Sequence, residues 1–220
     1  MKEYYRMQNY VVIDLEMCKV SAFNKKKFSL ANEIIEIGAV LLNDSFCIVD
    51  EFKTFVYPEY GRLDSFITNL THITAQDLEN APCLQDALEL LFVWLPEDVT
   101  MVAWSENDAI QLHGETVRKG IRMQEMDALL RTETDCQALF AEKVGVEKCY
   151  GLTNALMLAD IAFCDGAHDA LVDAHNTALL FAKIMREDQL KLNPYYQTEQ
   201  NVSVGFCPFA DLFAGLNIAG

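Results

Sequence analysis

The feature that most constrains the fold is a short apolar run near the start of the chain, YVVIDL at residues 10–15. β-Branched residues are frequent in it, which is typical of a buried strand. Asp14 lies near the end of this run, and Glu16 follows two residues later. Because side chains alternate along a strand, both carboxylates are predicted to project from the same face. We expect them at the carboxyl end of the strand, where open α/β sheets bind their ligands.

The rest of the chain predicts further strands and then helices. Residues 33–42 and 46–56 are β-rich runs separated by Asn43-Asp44-Ser45, a hairpin signal. The segment that holds Lys25, Lys26 and Lys27 is predicted to be a loop. Residues 99–104 and 126–130 are predicted as strands. The predicted helices cover residues 84–95, 108–119, 135–144, 152–159 and 171–185, with a capping box at residues 74–77.

The order of these elements is β-β-β-α-β-α-β-α-α-α, which predicts an α/β fold with a mixed five-stranded sheet flanked by helices. We assign residues 9–187 to this domain. Residues 188–220 lose the periodicity and form a C-terminal tail of unknown role. The tail either docks through Phe206, Phe209 and Phe213 or is a terminus without fixed structure.

Composition bounds the function. The chain has 220 residues, 51% of them hydrophobic, and a formal net charge of −16. This charge argues against holding long nucleic acid by charge alone, but it allows an enzyme that carries cations in a carboxylate site. The most apolar run, residues 87–95, is too short for a membrane span, and the first residues do not resemble a signal peptide. The seven scattered cysteines without CxxC spacing predict a cytoplasmic protein with reduced thiols.

Two further segments carry candidate functional residues. Asp108 follows the predicted strand 99–104 and opens a helix, where it could equally be an ordinary first-turn acid. His168 and Asp173 form an H-x-x-x-x-D pattern at the start of the last predicted helix. The remaining histidines, His72, His113 and His175, are interpreted as structural or merely exposed.

Together these residues suggest metal-assisted hydrolysis of a phosphodiester. Four carboxylates in one site (Asp14, Glu16, Asp108 and Asp173) could not all stay ionised without cations. Oxygen ligands in this number select Mg²⁺ or Mn²⁺. Two such ions roughly 3.5–4 Å apart would stabilise the attacking and leaving oxygens of an in-line displacement. His168 near the attacking water could serve as the base.

These motifs resemble those of the DnaQ-like 3′–5′ exonucleases of the DEDDh type, which have an RNase H-like fold. The similarity runs through VVIDLE, EIIEIGAVLL, LTHIT, AWSENDAIQL and HDALVDAHNTALLF, and covers about residues 9–187. The spacing Trp-x-x-x-Asp and the long segment after the first motif look most like the Eri-like exoribonucleases, which trim RNA 3′ ends. The chain departs from the common pattern at Ser105, His72 and Met17-Cys18, positions that shape the pocket for the terminal nucleotide.

The resemblance implies a role for each site residue. The four carboxylates would hold two divalent ions, and His168 would deprotonate the attacking water. Met17, Leu70, Ile73 and Trp104 would contact the terminal base and ribose. The alternative for all four is ordinary core packing, which we favour for Ile73 and Trp104. The three consecutive lysines could contact substrate phosphates or form a solvated segment.

The sequence is compatible with three functions. The leading prediction is a metal-dependent exonuclease acting on 3′ ends of RNA or short oligonucleotides, preferably single-stranded because of the acidic surface. The second is a DNA-directed exonuclease of the proofreading or repair type. The third is a non-enzymatic module that keeps the fold and binds nucleic acid, or a protein partner through the tail. The oligomeric state is left open.

Overall fold

A computed structural model describes residues 8–146 and 150–196 of the chain. The predicted tail contacts at Phe206, Phe209 and Phe213 lie outside the described residues. The described part has a mixed sheet of six strands with helices on both faces. Its strands are β1 (Asn9–Val20), β2 (Asn32–Leu42), β3 (Ile48–Phe55), β4 (Gly61–Arg62), β5 (Val99–Ala103) and β6 (Thr134–Asp135).

The strand order is β3-β2-β1-β5-β6, with β4 paired to the far end of β1. β1 is antiparallel to β2 and β4 and parallel to β5. The α/β class and the mixed sheet are therefore confirmed, with six strands in place of the predicted five. The short β4 carried no sequence signal because it has only two residues.

Nine helices lie in the described ranges. They are α1 (Ala22–Phe28), α2 (Ser65–Thr71), α3 (Ala75–Leu78), α4 (Leu84–Trp94), α5 (Glu106–Lys119), α6 (Gln124–Leu130), α7 (Cys136–Val144), α8 (Leu152–Leu158) and α9 (Ala170–Arg186). The capping box predicted at residues 74–77 is present at α3, where the Asp77 carboxylate accepts the Thr74 backbone N–H. None of the helices described is long and apolar enough to cross a membrane.

Two predictions of local structure were wrong. Residues 126–130 belong to α6 and not to a strand, because the buried Met126 and Leu129 recur at helical spacing. The parallel partner of β5 is instead β6, four residues further on. The lysine-rich segment is helix α1 and not a loop. Ser21 caps this helix by accepting the Asn24 backbone N–H, and Ser29 ends it in the left-handed conformation.

β1 is longer than predicted. It continues for five residues past Leu15, because β2 and then β4 offer it partners up to Val20. A bulge between Glu16 and Met17 shifts the pairing of β1 with β2. Glu16 therefore lies within the strand, at the bulge, and not just past its end. Bulges re-aim side chains and are frequent beside active sites.

The two faces of the sheet bury separate cores. Val11, Ile13 and Leu15 pack on the side of α4 and α5, whereas Val12 packs on the side of α7, α8 and α9. Asp14 and Glu16 alternate in phase with Val12, so their side chains belong to the α9 side of the sheet. The alternation that buries β1 on both faces therefore also aims the two carboxylates at α9.

Candidate active site

Asp108 is carried to Asp14 by the parallel pairing of β1 and β5. The register aligns Val12 with Val102, and the chain leaves β5 to start α5 with Asp108 in its first turn. The Asp108 carboxylate is only 8% exposed and accepts hydrogen bonds from backbone groups of Leu15 and of Asp108 itself. Asp108 is thus fixed directly to the strand that holds the other two carboxylates.

His168 and Asp173 are arranged by the start of α9. Asp169 caps this helix by accepting the backbone N–H groups of Leu171 and Val172. His168 precedes the cap with φ 70°, in the left-handed region, and its N–H donates to Asp173 Oδ2 at 2.9 Å. The backbone turn and this hydrogen bond together fix His168 beside Asp173.

Gly38 allows α9 to lie close to the sheet. It pairs with Asp14 across the β1–β2 ladder. A Cβ atom at Gly38 would lie 2.2 Å from the carbonyl carbon of Ala170, well inside the contact distance. Only glycine therefore lets the first turn of α9 rest on β2, opposite Asp14.

A network of charged residues also holds the start of α9 in place. Glu36, which is 1% exposed, accepts the Ala170 backbone N–H at 2.9 Å. Lys53 bridges Glu36 at 2.9 Å and the capping Asp169 at 2.6 Å. Glu36 and Lys53 were not among the predicted site residues. The glutamate inside the apolar run EIIEIGAVLL is nevertheless a signal, because a buried charge needs a partner.

Glu16, His168 and Asp173 form a group of potential metal ligands. Each offers one ligand atom, and these atoms all lie within 4.8 Å of one another. Asp14 and Asp108 are linked to the group electrostatically, since Asp14 is repelled by Asp108, Asp173 and Glu16. The structure thus brings Glu16, His168 and Asp173 together, and Asp14 and Asp108 lie near enough for the charges of these carboxylates to repel one another.

The pKa values of the four carboxyls reflect this crowding. Burial, followed by repulsion from Asp173 and other acids, raises the pKa of Glu16 to about 8. Burial raises the pKa of Asp108 to about 7 despite its backbone hydrogen bonds. The pKa values of Asp14 and Asp173 are raised above their ordinary values, again chiefly by burial. Converging carboxylates with this unrelieved repulsion are a donor set that fits hard divalent cations.

The four residues predicted to contact the terminal nucleotide occupy different environments. Met17 is half-buried beside the bulge, and Leu70 is half-buried on α2. Ile73 is 3% exposed and packs in a small core with Cys18 and Ile35. Trp104 is half-buried at the end of β5 and packs against the α9-side core.

The other histidines lie in ordinary structural settings. His72 is exposed and ends α2 with φ 60°, a conformation that glycine adopts more readily and histidine tolerates. His175 Nδ1 lies 2.8 Å from a carboxylate oxygen of Glu51. His113 is exposed on α5. The five cysteines in the described ranges, Cys18, Cys47, Cys83, Cys136 and Cys164, are all free.

Comparison with known proteins agrees with this geometry. Residues 11–181 match the exonuclease family model RNase_T. ERI1 exoribonuclease 2 of Danio rerio is 31% identical over 206 residues, covering 83% of this chain and 36% of the relative. The 3′-5′ exonuclease Snipper of Drosophila melanogaster is 29% identical over 192 residues, covering 75% and 67%.

Solved structures show the same fold. The nuclease domain of 3′hExo, a DEDDh family member bound to rAMP, superimposes with a TM-score of 0.70 at 21% identity. The superposition covers 88% of this chain and 98% of the solved one. The chain therefore belongs to the exonuclease family, in the Eri-like branch of the DnaQ-like proteins, and has their RNase H-like fold. It spans about a third of the length of the Danio rerio relative.

Proposed function

We propose that this protein is a metal-dependent 3′–5′ exonuclease that hydrolyses phosphodiester bonds at the 3′ ends of single-stranded RNA. The observation that carries the proposal is the group formed by Glu16, His168 and Asp173, whose ligand atoms lie within 4.8 Å of one another. The carboxylates of Asp14 and Asp108 lie near enough to this group to interact with it electrostatically. The domain that carries the activity is residues 9–187.

The four carboxylates would hold Mg²⁺ or Mn²⁺, two ions per site, which would stabilise charge at the reacting phosphate. His168 accepts a proton from the attacking water through its imidazole ring. The water oxygen bonds to phosphorus as the bond to the 3′ oxygen breaks. The terminal nucleotide leaves as a 5′-monophosphate, and the shortened strand regains a 3′ hydroxyl. The Asp173 carboxylate keeps His168 in place by accepting a 2.9 Å hydrogen bond from the His168 backbone N–H.

Met17, Leu70 and Trp104 are the residues proposed to contact the terminal nucleotide, because each is half-buried and keeps part of its side chain exposed. Ile73 is almost fully buried, so a contact from it would use little side-chain surface. We expect substitutions at Met17 and Leu70 to raise KM more than substitutions at Ile73. The five cysteines in the described ranges are free, which suits a reducing compartment and supports the cytoplasm as the site of action.

RNA is the preferred substrate in this proposal. One relative is named an exoribonuclease, and the solved DEDDh neighbour holds rAMP. The net charge of −16 disfavours long duplexes, since repulsion acts over about 8 Å at physiological salt. Short single-stranded 3′ ends reach an acidic protein at a smaller electrostatic cost.

The test is a time course of the wild-type protein on matched 5′-labelled single-stranded RNA and DNA with Mg²⁺, Mn²⁺ or EDTA. We expect a ladder of products shortened one nucleotide at a time from the 3′ end, faster on RNA and absent in EDTA. Faster shortening of DNA would replace RNA with DNA as the substrate. Intact RNA and DNA with both metals would overturn the proposal and favour a non-enzymatic module.

A further inference from the structure

A positive ridge lies along the chain just after the site. Its cations are Lys25, Lys26 and Lys27 on α1, and Lys19 and Arg62, which pair across β1 and β4. All five side chains are exposed. In the part of the chain that the structure describes, none of the five is in an ion pair, whereas the lysines at positions 53 and 119 are paired with carboxylates.

The ridge is unusual for this molecule. The whole chain has 33 acidic and 17 basic residues, yet residues 17–32 contain four lysines and no acid. An uncompensated positive strip on a negative protein attracts an anion at that one place and repels it elsewhere. This arrangement suits a polyanion that must be guided to a single site.

Two aromatic rings accompany the cations. Phe23 on α1 is 88% exposed, and Phe66 on α2 is 58% exposed. Lys19 Nζ lies 5.5 Å from the centre of the Phe66 ring. Basic residues interleaved with exposed aromatic rings are the combination that binds single-stranded nucleic acid, because phosphates meet the cations and bases stack on the rings.

The ridge lies close to the site, and its helix α1 is packed against the segment before β4. Lys19 follows Glu16 by three residues on β1, which is about 10 Å along a strand. Phe28, at the end of α1, stacks on Tyr60 with the ring centres 4.5 Å apart. The Asn24 side chain donates to the Tyr60 carbonyl oxygen at 2.8 Å. The lysines of α1 are therefore carried by an ordered helix.

A buried ion cluster fixes the other side of the ridge. Glu33 accepts the backbone N–H groups of Glu59 and Tyr60 at 2.8 Å each and binds Lys119 Nζ at 2.7 Å. Lys119 also binds Glu115 at 3.0 Å and lies over the ring of Phe28. This cluster ties α1, the segment before β4 and the end of α5 into one body.

We propose that the ridge binds the single-stranded RNA upstream of the scissile bond, its cations contacting phosphates and its two rings stacking on bases. The inference rests on the proposed function for the identity of the ligand. It adds to that function a second contact area, several nucleotides from the cleaved bond. A substrate long enough to reach α1 gains affinity from it, and a dinucleotide does not.

The experiment compares the wild type with the variant Lys25→Gln/Lys26→Gln/Lys27→Gln. Binding of a 5′-fluorescein RNA 12-mer is measured by anisotropy in EDTA, where no hydrolysis occurs. The Kd of the variant should be about 10-fold higher at 100 mM salt, and the slope of log Kd against log salt should be smaller by about 2. Phe23→Ala should weaken binding several-fold without changing this slope.

A matched control neutralises three cations that lie away from the ridge, in the variant Arg131→Gln/Lys143→Gln/Lys191→Gln. This control has the same net charge as the first variant, so it should keep the wild-type Kd if position, and not total charge, decides binding. Equal weakening of both variants, or no weakening of either, would overturn the proposal.

Hydrolysis separates this inference from the proposed function. With Mn²⁺, the α1 variant should show a raised KM and an unchanged kcat on the 12-mer, and wild-type kcat/KM on a dinucleotide. Loss of dinucleotide hydrolysis in this variant would mean that the site itself was damaged, and would count against the ridge. If the wild type hydrolyses neither substrate, the proposed function fails, whereas the anisotropy result still decides whether the ridge binds RNA.

Discussion

Asp14 is repelled by several of the other carboxylates of the site. Burial and the repulsion of Asp108, Asp173 and Glu16 all raise its pKa. The sequence predicted this crowding from the order of the motifs, because carboxylates after neighbouring strands meet at one edge of a sheet. It could not predict Glu36 and Lys53, because their ion pair joins residues of adjacent strands to a helix more than a hundred residues away.

Neutralising Asp14 should stabilise the metal-free protein while abolishing its activity. Asp14→Asn keeps the shape of the side chain and removes one of four repelling charges. We expect the free energy of unfolding in EDTA at pH 8 to rise, and Tm to rise with it, because the folded state loses a buried charge that its neighbours repel. Differential scanning fluorimetry measures this shift, with Asp44→Asn in the exposed β2–β3 turn as the control. A lower Tm for Asp14→Asn would contradict the electrostatic interpretation.

The same repulsion predicts how stability depends on pH. The pKa of Glu16 is raised to about 8 and that of Asp108 to about 7, so the folded state binds protons more tightly than the unfolded state. In EDTA, Tm should therefore rise as the pH falls from about 9 to about 5. Added Mn²⁺ should raise Tm most at high pH, where the carboxylates are ionised. Equal stabilisation by Mn²⁺ at pH 5 and pH 8 would argue against binding by these groups.

At the scale of elements, the site depends on how closely α9 approaches the sheet. The apolar periodicity of α9 and of β1 was clear in the sequence, and both elements were predicted. Residues 126–130 were predicted as a strand although they belong to α6, because a short apolar run fits a strand or a helix equally well until its neighbours are known. The bulge after Glu16 was also invisible, since it arises from pairing with β2 and β4 and not from the composition of β1.

Gly38→Ala tests the contact between α9 and β2. The added Cβ would lie 2.2 Å from the Ala170 carbonyl carbon, so α9 must move outward with His168 and Asp173. We expect kcat/KM to fall at least 10-fold and the free energy of unfolding to fall by about 3 kcal/mol. Gly151→Ala is the control, because a Cβ there meets no atom within 4 Å. Steady-state kinetics and urea unfolding measure both effects, and wild-type values for Gly38→Ala would show that α9 does not need this close contact.

At the scale of the molecule, the basic ridge contrasts with a chain that is acidic overall. The net charge of −16 repels nucleic acid from most of the surface, and the site itself consists of carboxylates that need cations. If the two proposals hold, divalent ions at the site and the lysines of the ridge together lower the electrostatic cost of substrate approach. Composition alone could indicate only the need for cations at the site. The ridge becomes apparent only when α1, β4 and α2 are seen side by side.

The assignment of the active-site residues is tested by hydrolysis of 5′-labelled single-stranded RNA by the wild type, Asp14→Ala and His168→Ala, each with and without Mn²⁺. We predict stepwise shortening from the 3′ end by the wild type with metal. Both variants should be at least 100-fold slower, although each keeps a cooperative unfolding transition. Shortening that continues in EDTA, or folded variants with wild-type rates, would contradict the assignment of these residues to the active site.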